Sequence, residues 1–148
     1  MDLLERARAL AACPLFSDLA PTVVIRLAER ARPSELEAGE RRTTDDNVWV
    51  VAAGSLVIAA RLVAREAVLD ASASSMKRKG AIATPGQVVG LIRVIAPATP
   101  VVDAIADRAT VVLSIALDDV RDMLEEDPIA LAALADALAR QLLDRTDE

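Results

Sequence analysis

The sequence predicts an α+β fold, mostly a jelly-roll-like β-roll flanked by short N-terminal helices and C-terminal helices. Three observations carry this prediction. Apolar residues recur at helical spacing before Pro33, short β-branched runs punctuated by Gly and Pro follow from Ser34, and helical spacing returns from Leu117. A chain of 148 residues has room for one core. Residues 1–148 are therefore read as one domain, with N-terminal helices over 1–33, the β-roll over 34–116 and C-terminal helices over 117–146.

Each element has its own signal. Leu3, Leu4, Ala7, Leu10 and Ala11 form one stripe that Pro14 ends. Pro21 and Thr22 open a second helix, with Val23, Val24, Leu27 and Ala28 inward and Arg26, Glu29 and Arg30 in water, and Pro33 ends it. Leu36 to Glu40 reads as a short strand entering a turn, Val48 to Val51 as a buried strand reaching Gly54, and Ser55 to Leu62 as β-branched continuation. Val63 to Lys79 has the composition of a long exposed insertion, and its basic triplet Lys77-Arg78-Lys79 is expected to be solvated rather than to grip an anionic partner. Pro85-Gly86 marks a tight turn, Val88-Val89 a short strand, and Gly90 to Ile95 a short buried helix before Pro97 and Pro100. Val101 to Ile105 and Thr110 to Ala116 are a strand pair, and Leu117 starts a helix with Asp118 and Asp119 at its positive end. Asp127 as cap and Pro128 at the first position open the last helix, Ala- and Leu-rich to Leu143.

Composition excludes several functions. Lys and Arg number 17 against 23 Asp and Glu, a formal charge of −6, and the aromatics are one Phe and one Trp, Phe16 and Trp49. Such a field repels phosphate backbones and offers little to stack on, so no nucleic-acid partner is expected. With no His and no Tyr, the usual triads, His-ligated metals and Tyr acids are excluded, and no catalytic constellation is identified. Cys13, the single Cys, has no His to activate it and is read as a small packing residue. Asp45-Asp46-Asn47 lacks the spacing of a calcium loop and reads as a solvated turn, and Glu125-Glu126-Asp127 as an acidic helix junction, so no metal or cofactor is expected. The longest uncharged stretch, Asn47 to Ala60, is too short to span a bilayer, and the N-terminus carries acid where a secretory signal carries base, which points to the cytoplasm.

Cys13-Pro14-Leu15-Phe16-Ser17-Asp18-Leu19, the Leu27-Ala28 helix, Ala38-Gly39-Glu40, Val48-Trp49-Val50-Val51 with Gly54, Pro85-Gly86-Gln87-Val88-Val89-Gly90, and Ala109-Thr110-Val111 into Leu117 follow one another in a particular order and spacing. In that order they resemble the cyclic-nucleotide-binding domain family over nearly the whole chain. The resemblance implies a bacterial regulatory or signalling domain and a phosphate-binding cassette: Phe-Gly-Glu, a short helix, then Pro-Arg-Ser/Thr-Ala. In the family the Glu accepts from the ribose hydroxyl and the Arg pairs with the cyclic phosphate. Gly90 and Pro100 fill the Gly and Pro slots, but Val89 stands for Phe, Leu91 for Glu, Val101 for Arg, Val102 for Ser/Thr and Asp103 for Ala. Both polar anchors are missing, and an enclosed phosphate without its cation loses ~3–5 kcal/mol. Standard cyclic-nucleotide binding is therefore not expected, and Asp103 adds repulsion if it faces the pocket.

Two readings of the altered cassette stay open. Leu91, Ile92, Val94, Ile95, Val101 and Val102 either fill the pocket as core, the expected state, or line an open apolar pocket for a lipid-like or aromatic ligand. Arg93 is expected to point outward to water; the alternative is that it joins the N–H groups after Gly90 in holding an anion. In the last helix Leu131, Leu134, Leu138 and Leu142 form one stripe, which fits equally a seam with a second copy, with Ala135 and Ala139 allowing close approach, or packing on its own domain. The expected function is a non-catalytic regulatory or scaffolding domain acting through a protein partner or self-association. The alternative is a sensor of a cyclic nucleotide or other small ligand through a non-standard pocket. A transcription regulator of this type needs a DNA-binding motif after the long helix, and the sequence stops at Glu148.

Overall fold

A computed structural model describes residues 1–60, 82–95, 98 and 101–146; the expected insertion with Lys77–Lys79 lies outside them. Helix α1 spans Leu3–Ala11, and the Asp2 side chain caps it by accepting from the Glu5 N–H at 2.8 Å. Helix α2, Pro21–Arg30, begins on Pro, whose missing N–H costs nothing at that position. Arg6 Nε donates to the Ala28 carbonyl at 2.9 Å and ties the two helices together.

Eight described strands form two antiparallel four-stranded sheets. β1 is Arg32–Leu36, β2 Arg41–Thr43, β3 Asn47–Ala53, β4 Leu56–Ala60, β5 Ile82–Ala83, β6 Val88–Val89, β7 Val102–Ala106 and β8 Thr110–Ala116. The first sheet runs β1-β8-β3-β6 and the second β2-β7-β4-β5. Helix α3, Ile92–Ile95, sits between β6 and β7, and helices α4, Leu117–Glu126, and α5, Pro128–Thr146, close the described chain. The Asp127 carboxylate accepts from the N–H groups of Ile129 and Ala130, both at 3.1 Å, the capping read from sequence.

Boundaries moved in two places. β1 begins at Arg32, ahead of the expected Leu36, because an edge strand tolerates Pro: Pro33 lies opposite Leu113 and needs no partner on its other side. Residues 37–40 are turn, and the following strand β2 was not foreseen, since Arg-Arg-Thr carries no hydrophobic alternation.

The first sheet is covered on both faces. Val48 and Val50 of β3 and Leu113 and Ile115 of β8 face the helices, in one core with Phe16, Leu27, Val120 and Leu134. Trp49, Val51 and Val112, alternating with them, face the second sheet in a second core with Leu36, Leu56, Ala104 and Ala106. Burial on both faces explains why Val48 to Val51 reads as one continuous apolar run. Cys13 lies in the helix-side core, fully buried, and burial raises its thiol pKa.

The turn after β3 is clasped to the turn before β8. Ser55 N–H donates to Thr110 Oγ1 at 3.2 Å, while that hydroxyl lies 3.1 Å from the Ser55 carbonyl and 2.7 Å from that of Arg108. Gly54, at φ +86°, lies so close that a Cβ there would stand 2.5 Å from the Ala109 carbonyl oxygen. Gly39 has the same φ but open space around it.

Two measurements test this packing. Gly54→Ala is expected to lose about 3–5 kcal/mol in denaturant unfolding, since it adds a backbone clash to left-handed strain, against about 1–2 kcal/mol for Gly39→Ala. The Cys13 thiol, protonated and inaccessible, is expected to react with a thiol reagent only on opening of the fold; labelling at the rate of a free thiol would contradict its burial.

Candidate functional site

The segment that the resemblance places at the cassette begins where β6 ends. Val89 pairs across the sheet with Trp49, and Gly90 then takes φ +85°, a conformation that suits Gly and turns the chain into α3. A Cβ on Gly90 would stand 3.4 Å from the Asn47 carbonyl oxygen, so this corner presses against the turn between β2 and β3. Beyond α3 the chain enters β7, where the Thr44 N–H donates to the Val102 carbonyl at 3.0 Å and the Val102 N–H to Thr44 Oγ1 at 3.3 Å.

The apolar residues of this segment divide between the two cores. Leu91 and Val94 are buried on the helix side with Leu117 and Val120, whereas Val89 and the half-buried Val102 face the space between the sheets. Val101 is half-buried; the side chains of Ile92 and Ile95, and Pro100, lie outside the described residues. Trp49, 3% exposed, occupies the space between the sheets beside Val89.

Two charged residues need correction or placement. Arg93 does not point outward to water: its side chain is 12% exposed, donates to the Asp45 carbonyl oxygen and lies 3.8 Å from the Asp46 carboxylate. The carbonyl comes from the β2–β3 turn, which sequence reading left solvated; Asp46 itself is well exposed, but the backbone of the turn is engaged. Asp103 alternates with the inward-facing Val102 and Ala104, so it lies on the outer side of the second sheet, paired with Arg41 at 3.5 Å.

Helix α5 uses part of its Leu stripe for its own domain. Leu134 is fully buried and Leu138 packs against the same core, while Leu131 is 41% exposed and the Leu142 side chain lies outside the described residues. The outer face carries Ile129, Leu131, Ala132, Ala135 and Ala139, flanked by the Asp136–Arg140 ion pair at 2.7 Å. For Leu134 and Leu138, contact with the core is the packing on its own domain that the spacing left open beside a seam. A polar cleft of about 430 Å³ lies elsewhere, between α2, β1 and α4, where Arg30 and Asp119 pair at 2.9 Å. Among the described residues no three Cys, Asp or Glu side chains gather as metal ligands, and no helix is long and apolar enough to cross a membrane.

No protein-family model matches the sequence, and no curated protein does. Solved structures do match. The sensor domain of the transcriptional regulator DNR from Pseudomonas aeruginosa superposes with a TM-score of 0.69 at 16% identity, over 99% of this chain and 94% of that one. A cyclic-nucleotide-binding-like protein from Brucella abortus gives 0.55 at 22% identity, over 81% and 97%. The regulatory subunit of a cAMP-independent protein kinase A from Trypanosoma brucei, a mutant bound to cAMP in its A site, gives 0.64 at 18% identity, over 94% of this chain and 48% of that one. The chain has the fold of cyclic-nucleotide-binding domains, a β-roll with flanking helices.

Trp49→Ala removes the largest side chain between the sheets and is expected to cost about 3–5 kcal/mol in denaturant unfolding. A loss below about 1 kcal/mol would mean that the indole is not packed as described.

Proposed function

We propose that residues 1–148 act as a non-catalytic regulatory or scaffolding domain that does not bind cyclic nucleotide and works through protein–protein contact, foremost with a second copy of itself. The single observation that carries this reading is Leu91. Where the resemblance places the ribose-binding Glu, a Leu is 3% exposed in the helix-side core, unable to hydrogen-bond and outside the core between the sheets. Val101 at the other anchor slot brings no charge, and Arg93, the nearest cation in this segment, is already engaged by the β2–β3 turn. Trp49 supports the same reading from the opposite side by occupying the space between the sheets.

Regulation rather than catalysis fits the structural neighbours, which include a transcriptional regulator's sensor domain and a kinase regulatory subunit. A cytoplasmic setting fits a single buried thiol. For self-association the outer face of α5 is the candidate: Ala132, Ala135 and Ala139 permit close approach, Leu131 and Ile129 supply apolar area, and Asp136 with Arg140 gives each copy both charge signs to offer its twin.

The test is a thermal-shift titration with cyclic mono- and dinucleotides, with light scattering on the same sample. A ligand at 100 times its Kd adds about 2.7 kcal/mol, which moves the midpoint by more than about 5 °C in a domain of this size. The expected result is no shift with any nucleotide and a dimer mass that Ala135→Glu, a change on an exposed position, converts to monomer. A nucleotide-dependent shift would restore the sensor reading, and a wild-type monomer mass would remove the twin as partner.

A further inference from the structure

The face that β1, β3 and β8 turn toward the second sheet is apolar along most of its length, with Leu36, Trp49, Val51 and Val112 in the core between the sheets. At one end it changes character. By alternation Arg32 of β1, Asn47 of β3, and Ser114 and Ala116 of β8 stand on that same face, yet none of them belongs to either core. The register sets them side by side: Arg32 lies opposite Ser114, Ser114 opposite Trp49, and Asn47 opposite Ala116. Directly opposed residues hold their Cβ atoms about 4.5–5.5 Å apart, so one group bound at this end can meet two strands at once.

Two helices close this end into the polar cleft of about 430 Å³. Glu29 and Arg30 come from the last turn of α2 and Asp119 from the first turn of α4, whose first N–H, that of Leu117, donates to the Asp46 carbonyl at 2.8 Å. The volume falls within the range of small-ligand sites, about 300–1,000 Å³, but the lining is polar and carries both charge signs. Its charges are not all paired. Arg30 and Asp119 neutralise each other at 2.9 Å, whereas among the described residues the side chains of Arg32 and Glu29 make no hydrogen bond or ion pair. Arg26, one turn before Glu29, is itself held by Glu126 at 2.6 Å. The Ser114 hydroxyl is likewise uncommitted, and Asn47 uses only its Nδ2, on the Thr44 carbonyl at 3.4 Å. Ala116, opposite Asn47, leaves this end of the sheet unfilled.

We propose that this cleft binds a free α-amino acid, its carboxylate on Arg32 and the Ser114 hydroxyl and its ammonium on Glu29 and the Asn47 Oδ1. A guanidinium meets a carboxylate through two parallel N–H bonds, and the hydroxyl across the strand pair adds a further donor. An ammonium has three N–H groups, enough for both acceptors together. An anion alone would leave Glu29 without a partner and a cation alone would leave Arg32 so, which selects a molecule carrying both charges. Glu29 and Arg32 lie at most about 11 Å apart along the chain, so the two charges they receive sit on one small molecule rather than at the two ends of a peptide. No residue of the segment after β6 lines the cleft, so the site stands whether or not the chain binds a nucleotide or pairs with a twin.

The test is a titration of the full chain with single amino acids, read by the fluorescence of Trp49, the chain's one indole and the neighbour of Ser114 across the β3–β8 pair. The expected result is a saturable change in emission with at least one common amino acid at about 10 mM or below, with a rise in the unfolding midpoint of the same sample. The methyl ester of that amino acid lacks the carboxylate and its N-acetyl derivative lacks the ammonium; both are expected to bind at least about ten-fold more weakly. Arg32→Gln and Glu29→Gln, changes at exposed positions, are expected to weaken the free amino acid at least about ten-fold, while Arg8→Gln, on the exposed side of α1, leaves its affinity within about two-fold of the wild type. No change in emission or midpoint with any amino acid would overturn the proposal, and so would binding that Arg32→Gln leaves unaltered. An N-acetyl derivative that binds as well as the free amino acid would equally overturn it, since the cleft would then be taking a carboxylate alone.

Discussion

The pairing of β3 with β8, from Asn47 opposite Ala116 to Ala53 opposite Val111, is the constraint on which the rest of the structure depends. These two strands are sandwiched between helices and a second sheet, so Val48 to Val51, Val112, Leu113 and Ile115 are each committed to one core or the other. A slip of one position would exchange Val48 and Val50 with Trp49 and Val51, sending the indole into the helix layer. The Gly54 corner prevents this. Because no side chain fits beside Ala109 and Thr110, the two turns can close in only one alignment, which the Ser55–Thr110 bonds then fix. The same register puts Asn47 at the bottom of the sheet, beside Gly90 and one residue from the carbonyl that caps α4.

From that register the segment after β6 takes its shape. β6 has only two residues, both paired with β3, so Gly90 must leave the sheet where Trp49 ends the pairing. The chain then crosses to the helix layer, and Leu91 and Val94 go with it. An acidic side chain at the position of Leu91 would have to be desolvated in an apolar core or pull α3 outward. As Leu it adds about 1.5–3 kcal/mol of burial instead.

How much of this was legible depended on whether the signal was local. The run Val48 to Val51, the Pro85-Gly86 turn, and Asp127 before Pro128 each state their structure within a few residues, and each stands where the sequence put it. β2 had no such signal: three residues, two of them Arg, are held in place by β7, more than fifty residues away. Arg93 shows the same limit in a side chain. Surrounded by apolar neighbours on a short helix, it reads as a solvated charge, but its partner is a backbone carbonyl 48 positions earlier, and carbonyls leave no mark in a sequence. The acidic turn was visible as Asp45-Asp46-Asn47; what was hidden is that its backbone, rather than its carboxylates, carries the contacts. On α5 the Leu spacing was correct but could not say which Leu would meet the core, since Leu131 and Leu134 lie on the same broad face and only the position of α4 separates them.

Three kinds of contact connect the sheets, α3 and the helices beyond it. Here the interior is supplied by Trp49 and the Val and Ala residues around it, the helix side by Leu91 and Val94, and the polar link by Arg93 against the β2–β3 turn. The three differ in kind. Apolar packing is undirected and tolerates small shifts, whereas a guanidinium donating to one carbonyl is directional and is either made or broken. The contact between α3 and the turn that caps α4 is of that second, directional kind.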